Sequence, residues 1–206
     1  MNKNLIEVMG EEKVFPIIRN RDKNVVIGTA RALADGGIRL MEINLESPEV
    51  YEAIKELSEE DIKVCAGGVI TSIQARAAMQ SGAKLLSSPI FQMNLVKISK
   101  DSQVPLIAGA STANEAYNAW KARVPLIKVY PITALGGVLY VEDLLRPMPF
   151  LQVLVQGNVK INEAASYLNA GAYAVGIGRD LYDGYSYSEI TKRADLLLKN
   201  LRSNCG

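Results

Sequence analysis

Short runs of apolar and β-branched residues alternate with amphipathic stretches along the whole chain. Each apolar run is six or seven residues long, and they occupy positions 14–19, 40–45, 63–69, 84–89, 105–110, 126–131, 151–157 and 172–178. Runs of this length are typical of buried parallel strands, and the stretches between them place apolar residues at helical spacing. The alternation predicts eight β-strands, each followed by a helix.

The amphipathic stretches carry the residues that begin and end helices. Several start with Ser, Thr or Asn, the usual N-cap residues, and several finish with Gly. A helix–glycine–strand join recurs in "LADGGIRLMEI", "MQSGAKLLSSP" and "LNAGAYAVGIG", while "WKARVPLIKVYP" takes the expected fourth place without its glycine. This repeat has a period of about two βα units, which indicates a chain with eight of them.

The even spacing of the strands predicts a (β/α)8 TIM barrel at the small end of its size range. An open, doubly wound sheet is the alternative. Because no low-complexity linker interrupts the 206 residues, a single barrel domain over 1–206 is expected. The segment "YSEITKRADLLLKNLRS" predicts a C-terminal helix that closes the domain.

Bulk composition argues against several classes of protein. The formal net charge is +1 and no basic block occurs, so neither nucleic acid nor a membrane surface is an expected partner. The N-terminal "MNKNLIEVMGEEK" lacks the apolar core of a signal peptide, and no apolar run reaches the roughly 18 residues of a membrane span. The only cysteines are Cys65 and Cys205, which excludes a disulfide framework and favours the cytoplasm.

The chain contains no histidine, and this absence restricts its chemistry. Acid–base catalysis would have to use carboxylates, lysine, tyrosine or water. A zinc site would lack its usual imidazole ligands. A metal enzyme of this kind is therefore not expected.

One cation lies in the most aliphatic run of its neighbourhood, where Lys128 stands between Ile127 and Val129. If Lys128 points into the barrel, strand alternation turns these two neighbours outward, and Glu42 can point inward from "LMEINL" in the same way. One interpretation is a buried salt bridge that only fills the barrel. The other is a desolvated, uncharged amine that forms a Schiff base with a ketone while Glu42 carries protons.

Seven motifs follow one another in a fixed order: "FPIIRN", "ADGGIRLMEINLESP", "AGGV", "SGAKLLSSP", "GASTANEA", "IKVYP" and "NAGAYAVGIGRDLY". Each motif by itself is weak evidence for any one family. Together they cover essentially the whole chain and resemble the class I 2-keto-3-deoxy-6-phosphogluconate / 4-hydroxy-2-oxoglutarate aldolase family. The "LESP", "STANEA" and "RDLY" segments look most like its 2-keto-3-deoxy-6-phosphogalactonate branch.

The resemblance implies a reaction and a set of residues. The substrate would be a 2-keto acid, either a 2-keto-3-deoxy sugar acid (6-phosphate) or 4-hydroxy-2-oxoglutarate, cleaved to pyruvate and an aldehyde without a cofactor. Lys128 would be the Schiff-base lysine and Glu42 the proton shuttle, and Arg19 would lie beside the substrate carboxylate. Members of the family are commonly homotrimers, so a homotrimer is implied as well.

The residues at the carboxylate end depart from the family pattern. After Gly67, Gly68 stands in place of the threonine in the family's Gly-Ala-Gly-Thr, and Glu46 stands where many members have an arginine. Arg19 could offset this loss, because arginine binds carboxylates in a bidentate manner. The alternative is that Arg19 only pairs with a loop acid.

The phosphate end departs as well. Where the family's seventh and eighth strands end in Gly-Gly and Gly-Ser, this chain has Gly157–Asn158 and Gly178–Arg179, and Gln156 replaces a small residue or threonine. Arg179 either binds an anion or pairs with a neighbouring aspartate. These departures predict poor turnover of the phosphorylated substrate. The expected substrate-binding residues are Arg19, Gly67, Gly68, Pro131, Gln156, Gly157, Asn158, Gly178 and Arg179.

Two other functions stay open at this point. The chain could be a catalytically impaired relative that binds a sugar acid or a phosphate ligand. It could also be a barrel lyase or isomerase that makes no Schiff base and uses Lys128 to stabilise charge. The barrel alone does not decide between them, because one fold supports many chemistries.

Overall fold

The computed structural model describes residues 4–204 and shows a closed barrel of eight parallel strands in the order of the chain. This confirms the predicted (β/α)8 barrel and excludes the open sheet. Every strand lies inside its predicted segment. The strands are β1 Val14–Ile18, β2 Leu40–Asn44, β3 Lys63–Gly67, β4 Leu85–Ser87, β5 Leu106–Ala110, β6 Leu126–Val129, β7 Val153–Gln156 and β8 Ala174–Ile177.

Helices cover the outside of the barrel, and the predicted C-terminal helix is present. Several begin at polar caps, as Thr71 and Thr112 show by accepting a hydrogen bond from the backbone of the first turn. The helices are α1 Leu5–Glu12, α2 Lys23–Asp35, α3 Glu49–Ser58, α4 Ser72–Gln80, α5 Met93–Ser102, α6 Ala113–Lys121, α7 Ile132–Leu135, α8 Val138–Leu145, α9 Ala164–Asn169, α10 Arg179–Tyr182 and α11 Tyr187–Asn204, with a short 3-10 helix at Ile161–Glu163.

The helix α1 was not expected from the sequence. Asn4 caps it and forms a capping box with Glu7, so the helix begins before the first strand of the barrel. Its buried residues Ile6 and Met9 belong to the apolar cluster inside the barrel. The helix therefore closes the end of the barrel at which the strands begin.

The interior of the barrel is filled in layers by alternate strands. Its lower part is apolar, and burial raises the pKa of the Cys65 thiol well above its ordinary value, so this cysteine stays an inert thiol. The odd strands contribute Phe15, Cys65, Ile107 and Leu154, and the even strands contribute Leu40, Leu85, Leu126 and Ala174.

The next layer of the even strands is polar. Because side chains on one face recur every second residue, the positions above the four apolar ones are Glu42, Ser87, Lys128 and Gly176. Glu42, Ser87 and Lys128 are buried. This layer thus places three polar side chains directly above apolar ones, toward the strand ends at which TIM barrels build their active sites.

The described residues contain no helix long and apolar enough to cross a membrane. The expected domain limits, 1–206, extend beyond the described residues at both ends, and Cys205 also lies outside them.

Candidate active site

Lys128 and Glu42 face each other inside the barrel, as the alternation of the strands predicts. Lys128 is 3% exposed and Glu42 is 1% exposed. The Nζ atom of Lys128 lies 3.8 Å from Oε1 of Glu42 and donates a hydrogen bond of 2.8 Å to Oγ of Ser87. A buried ammonium needs such partners, because its desolvation is costly when they are missing.

Two amides hold the carboxylate of Glu42. Gln156 donates from Nε2 to Oε2 at 3.3 Å. The neighbours of Asn44 assign its carboxamide orientation, in which the nitrogen donates to Oε1 of Glu42 at 2.9 Å. Both amides are buried, so the position of the carboxylate is fixed from two sides.

Asn44 also connects Glu42 to Arg19. Its carboxamide oxygen accepts from Nη2 of Arg19 at 2.7 Å and from Nε at 2.9 Å. The backbone N–H of Arg19 donates to the hydroxyl of Tyr182 at 3.0 Å, which ties this residue to α10. One chain of contacts therefore runs from the buried carboxylate to a guanidinium at the mouth of the barrel.

Arg19 pairs with a loop acid, as one of the two sequence interpretations holds. Its Nε lies 3.4 Å from Oε1 of Glu46, and the two side chains are 53% and 32% exposed. Both residues line the cavity that contains Lys128. The pairing therefore takes place at the same site at which the other interpretation puts a substrate carboxylate.

Two cavities open on this end of the barrel. The inner one has a volume of about 290 Å³ and is lined by Lys128, Glu42, Arg19 and Gly68, among others. Gly68 adopts φ +72°, and a Cβ there would meet no atom within 4 Å. The glycine in this position therefore leaves this part of the inner cavity free of any side chain.

The outer cavity has a volume of about 470 Å³ and shares Arg19, Tyr130 and Gln156 with the inner one. Its lining also includes expected residues that follow β6, β7 and β8, which are Pro131, Gly157, Asn158, Gly178 and Arg179. Asn158 takes a left-handed φ of +56°, a conformation in which asparagine is tolerated better than most side chains. The two cavities together could hold both halves of an elongated substrate.

Arg179 forms no ion pair with Asp180 or Asp183 within residues 4–204. Asp180 instead accepts from Nζ of Lys160 at 3.0 Å and from the backbone N–H of Ile161 at 2.9 Å. The guanidinium of Arg179 thus lines the outer cavity without the aspartate partner that one sequence interpretation gave it.

Gly67 has a different place from the other expected residues. It lines neither cavity, and a Cβ on it would collide with the side chains of Asn44 and Glu42. Its small size therefore makes room for the buried carboxylate and amide.

The sequence puts Ser87 and Asn44 near the mouth of the barrel, but sequence reasoning gave neither of them a role in the site. The signal was available in the strand layers, because Ser87 lies at the same level of the even strands as Lys128, and Asn44 lies two residues after Glu42 on one face of β2. Across residues 4–204, no group of three or more metal-binding side chains is found.

Comparison with known proteins gives a consistent set of similarities. A family model described as "KDPG and KHG aldolase" matches residues 5–193. A 2-dehydro-3-deoxy-phosphogluconate aldolase of Treponema pallidum is 30% identical over 166 residues, which cover 80% of this chain and 79% of that protein. A 2-dehydro-3-deoxy-6-phosphogalactonate aldolase of Escherichia coli is 26% identical over 194 residues, covering 92% of this chain and 94% of that protein.

A solved structure is similar over nearly the full length. It is a KDPG aldolase of Legionella pneumophila in which pyruvate was captured as a covalent carbinolamine intermediate. The TM-score is 0.87 at 24% identity, and the match covers 95% of this chain and 98% of that one. At this identity the likeness shows that the barrel is shared.

Proposed function

Because this chain belongs to the KDPG and KHG aldolase family, we propose that it is a Schiff-base aldolase that cleaves a 2-keto-3-deoxy sugar acid or 4-hydroxy-2-oxoglutarate into pyruvate and an aldehyde. The observation that carries the proposal is the buried pair in the inner cavity, an amine and a carboxylate 3.8 Å apart. An amine and a proton carrier are the two groups that this chemistry requires.

The first half of the reaction forms the iminium. Lys128 gives a proton to Glu42, its free amine attacks the C2 carbonyl of the substrate, and one of the two amine hydrogens passes to the carbonyl oxygen, which becomes the hydroxyl of the carbinolamine. The carbinolamine then loses its hydroxyl as water, with the proton supplied by Glu42. The ammonium had three hydrogens, of which two leave in the water and one remains on the iminium nitrogen.

The second half breaks the carbon–carbon bond. Glu42 accepts the proton of the C4 hydroxyl, the C3–C4 bond breaks, and its electron pair forms the enamine while the aldehyde departs. Glu42 then returns this proton to C3, and addition of water to the iminium releases pyruvate and restores the amine. The amides of Gln156 and Asn44 keep the carboxylate in place throughout.

Arg19 is the group on this end of the barrel that would bind the substrate carboxylate. Its guanidinium lines both cavities, and Gly68 leaves space beside it. A carboxylate that approaches Arg19 must compete with Glu46, the present partner of Arg19. Recognition of the acid would therefore be weaker than at an unpaired arginine.

The aldehyde half would occupy the outer cavity. Gly157, Asn158, Gly178 and Arg179 line it, and the guanidinium of Arg179 could bind a terminal anion. Asn158 brings a side chain to a position at which glycine would allow closer backbone approach. This is the reason to expect slow turnover of a substrate that ends in phosphate.

We also propose that the chain is a homotrimer in the cytoplasm. The trimer rests on the resemblance to the family alone, and the cytoplasm rests on the low cysteine content of the sequence. An exposed aromatic cluster is compatible with a contact between subunits. In it, the ring of Trp120 lies 5.8 Å from that of Tyr117 and 4.5 Å from that of Phe150, measured between centroids.

The proposed function is tested by offering three substrates to the purified protein and measuring the release of pyruvate. The substrates are 2-keto-3-deoxy-6-phosphogluconate, its galactonate epimer and 4-hydroxy-2-oxoglutarate. At least one should release pyruvate, and borohydride should trap a pyruvyl adduct on Lys128 that intact-mass and peptide analysis detect. A folded protein that binds these acids without an adduct would be the impaired relative, and turnover without an adduct would point to the mechanism that makes no Schiff base.

Removing the charge of Glu46 should strengthen binding of the 2-keto acid. In Glu46→Gln, Arg19 no longer pairs with a carboxylate of the protein. The substrate carboxylate then has no competitor for the guanidinium and no like-charged neighbour. Because both side chains are partly exposed, we expect a gain of about 1 kcal/mol, which lowers KM about 5-fold. The turnover number should change less than about 2-fold, because Glu46 contacts no reacting atom.

Steady-state kinetics with the best of the three substrates checks this expectation. Asp101→Asn is the matched control, since Asp101 is exposed near the end of α5, where removal of a carboxylate leaves the mouth unchanged. A KM that rises in Glu46→Gln would show that this carboxylate binds the substrate rather than opposing it.

A further inference from the structure

A second polar side chain contacts the amine of Lys128 more closely than Glu42 does. The hydroxyl of Ser87 is fully buried and accepts from Nζ at 2.8 Å, whereas the nearest carboxylate oxygen of Glu42 is 3.8 Å away. The reaction outlined above gives Ser87 no part. A buried hydroxyl at the reacting nitrogen therefore needs a reason.

The position of Ser87 follows from the construction of the barrel. Glu42, Ser87 and Lys128 come from β2, β4 and β6, so they belong to one layer of alternate strands. The layer sites below them hold Leu40, Leu85 and Leu126, which are apolar and buried. Ser87 and Glu42 consequently approach the nitrogen from two different strands.

The hydrogen count of the reaction shows what this arrangement can do. The ammonium has three hydrogens and the iminium has one, so the nitrogen needs only one acceptor after the water has left. A hydroxyl can accept that hydrogen without taking the proton, because its conjugate acid is far too strong. A carboxylate that held the same hydrogen would be engaged at the nitrogen when the C4 hydroxyl must lose its proton.

We propose that Ser87 is a further catalytic residue, whose Oγ accepts the single N–H of the iminium and stabilises this cation while Glu42 stays free to carry protons at the substrate oxygens and at C3. The inference rests on the proposed Schiff-base function and assigns a separate task to each of the two groups that flank the nitrogen. No proton is gained or lost by Ser87 in any step.

The test compares Ser87→Ala, Ser87→Val and Ser87→Thr for the rate at which pyruvate and borohydride form the adduct on Lys128. Valine and threonine have nearly the same volume, but only threonine keeps a hydroxyl. A hydrogen bond to a charged group has a strength that corresponds to about 10- to 100-fold in rate. We expect the alanine and valine variants to lose this factor in the maximal trapping rate, with the pyruvate concentration at half-maximal rate unchanged, and threonine to exceed valine.

Ser88→Ala is the matched control. Ser88 is equally buried, but strand alternation puts it on the other face of the barrel wall, and its Oγ accepts from the backbone N–H of Ile90 at 3.3 Å. Its trapping rate should stay within about 3-fold of the wild-type rate, as expected for the loss of a neutral hydrogen bond away from the reacting atoms.

The alanine variant decides the outcome, since it removes the hydroxyl without adding volume. If it traps pyruvate at the wild-type rate while circular dichroism shows a folded protein, the role of Ser87 is overturned and the Schiff-base function stands. If the wild-type protein itself forms no adduct, both proposals are overturned.

Discussion

Replacing Lys128 by methionine is expected to abolish pyruvate release and adduct formation. Methionine fills nearly the same space but has no nitrogen, so no covalent intermediate forms. Removal of a nucleophile commonly costs several orders of magnitude, and we expect kcat/KM to fall at least about 10⁴-fold. The coupled assay for pyruvate and the intact mass after borohydride treatment measure the two effects.

The same substitution leaves Glu42 without its cation, so the stability of the variant must be measured together with its activity. Breaking a buried ion pair can cost about 3–5 kcal/mol, although the amides of Asn44 and Gln156 still hold the carboxylate. Lys97→Met is the matched control, because Lys97 is exposed on α5 and its loss should change neither rate nor adduct. If a Lys128→Met protein still formed a pyruvyl adduct, another lysine would be the nucleophile.

The fold could be predicted because its signal is repeated along the chain. Each strand of a parallel barrel is covered on both faces, so it appears as a short apolar run, and eight such runs fix the architecture. The helix α1 was not predicted because it follows no strand and belongs to no βα unit. Its burial depends on the open end of the barrel, which no local pattern reveals.

The charged part of the site could be predicted for a related reason. A lysine in an aliphatic strand stands out, and alternation gives its direction as well as that of Glu42. Ser87 and Asn44 do not stand out, since serine and asparagine are common at strand ends. The alternation of the strands puts both residues inside the barrel, but only the structure shows that Ser87 contacts Lys128 and that Asn44 lies between Arg19 and Glu42.

The pair between Arg19 and Glu46 shows where sequence reasoning must leave a choice. Both residues follow strands and both could reach the mouth, so the sequence is consistent with pairing as well as with substrate binding. The structure shows the pair, at 3.4 Å, in the wall of the inner cavity. If Arg19 binds the substrate carboxylate as proposed, it must give up this pair to do so, and the kinetics of Glu46→Gln measure the cost of that competition.

Replacing Glu42 by glutamine is expected to remove the proton carrier while leaving the nucleophile Lys128 in place. Glutamine has the same size, but it cannot accept and return a proton, and general acid–base catalysis is worth about 10²- to 10⁴-fold. We expect kcat to fall by about 10³-fold, while borohydride still traps some pyruvate on Lys128. The exchange of the pyruvate methyl hydrogens for deuterium, followed by NMR, isolates the step at C3.

This exchange reports on the proton transfer at C3, because the enamine must be formed and protonated again for a methyl hydrogen to be replaced, and comparison with the rate of adduct formation removes the contribution of the iminium step. Wild-type protein should exchange the methyl hydrogens readily, and Glu42→Gln should exchange them at least about 100-fold more slowly than it forms the adduct. Glu59→Gln, which removes an exposed carboxylate just after α3, should behave as the wild type. Exchange at the wild-type rate in Glu42→Gln would mean that water or another group carries the proton, and Glu42 would then serve only as the buried partner of Lys128.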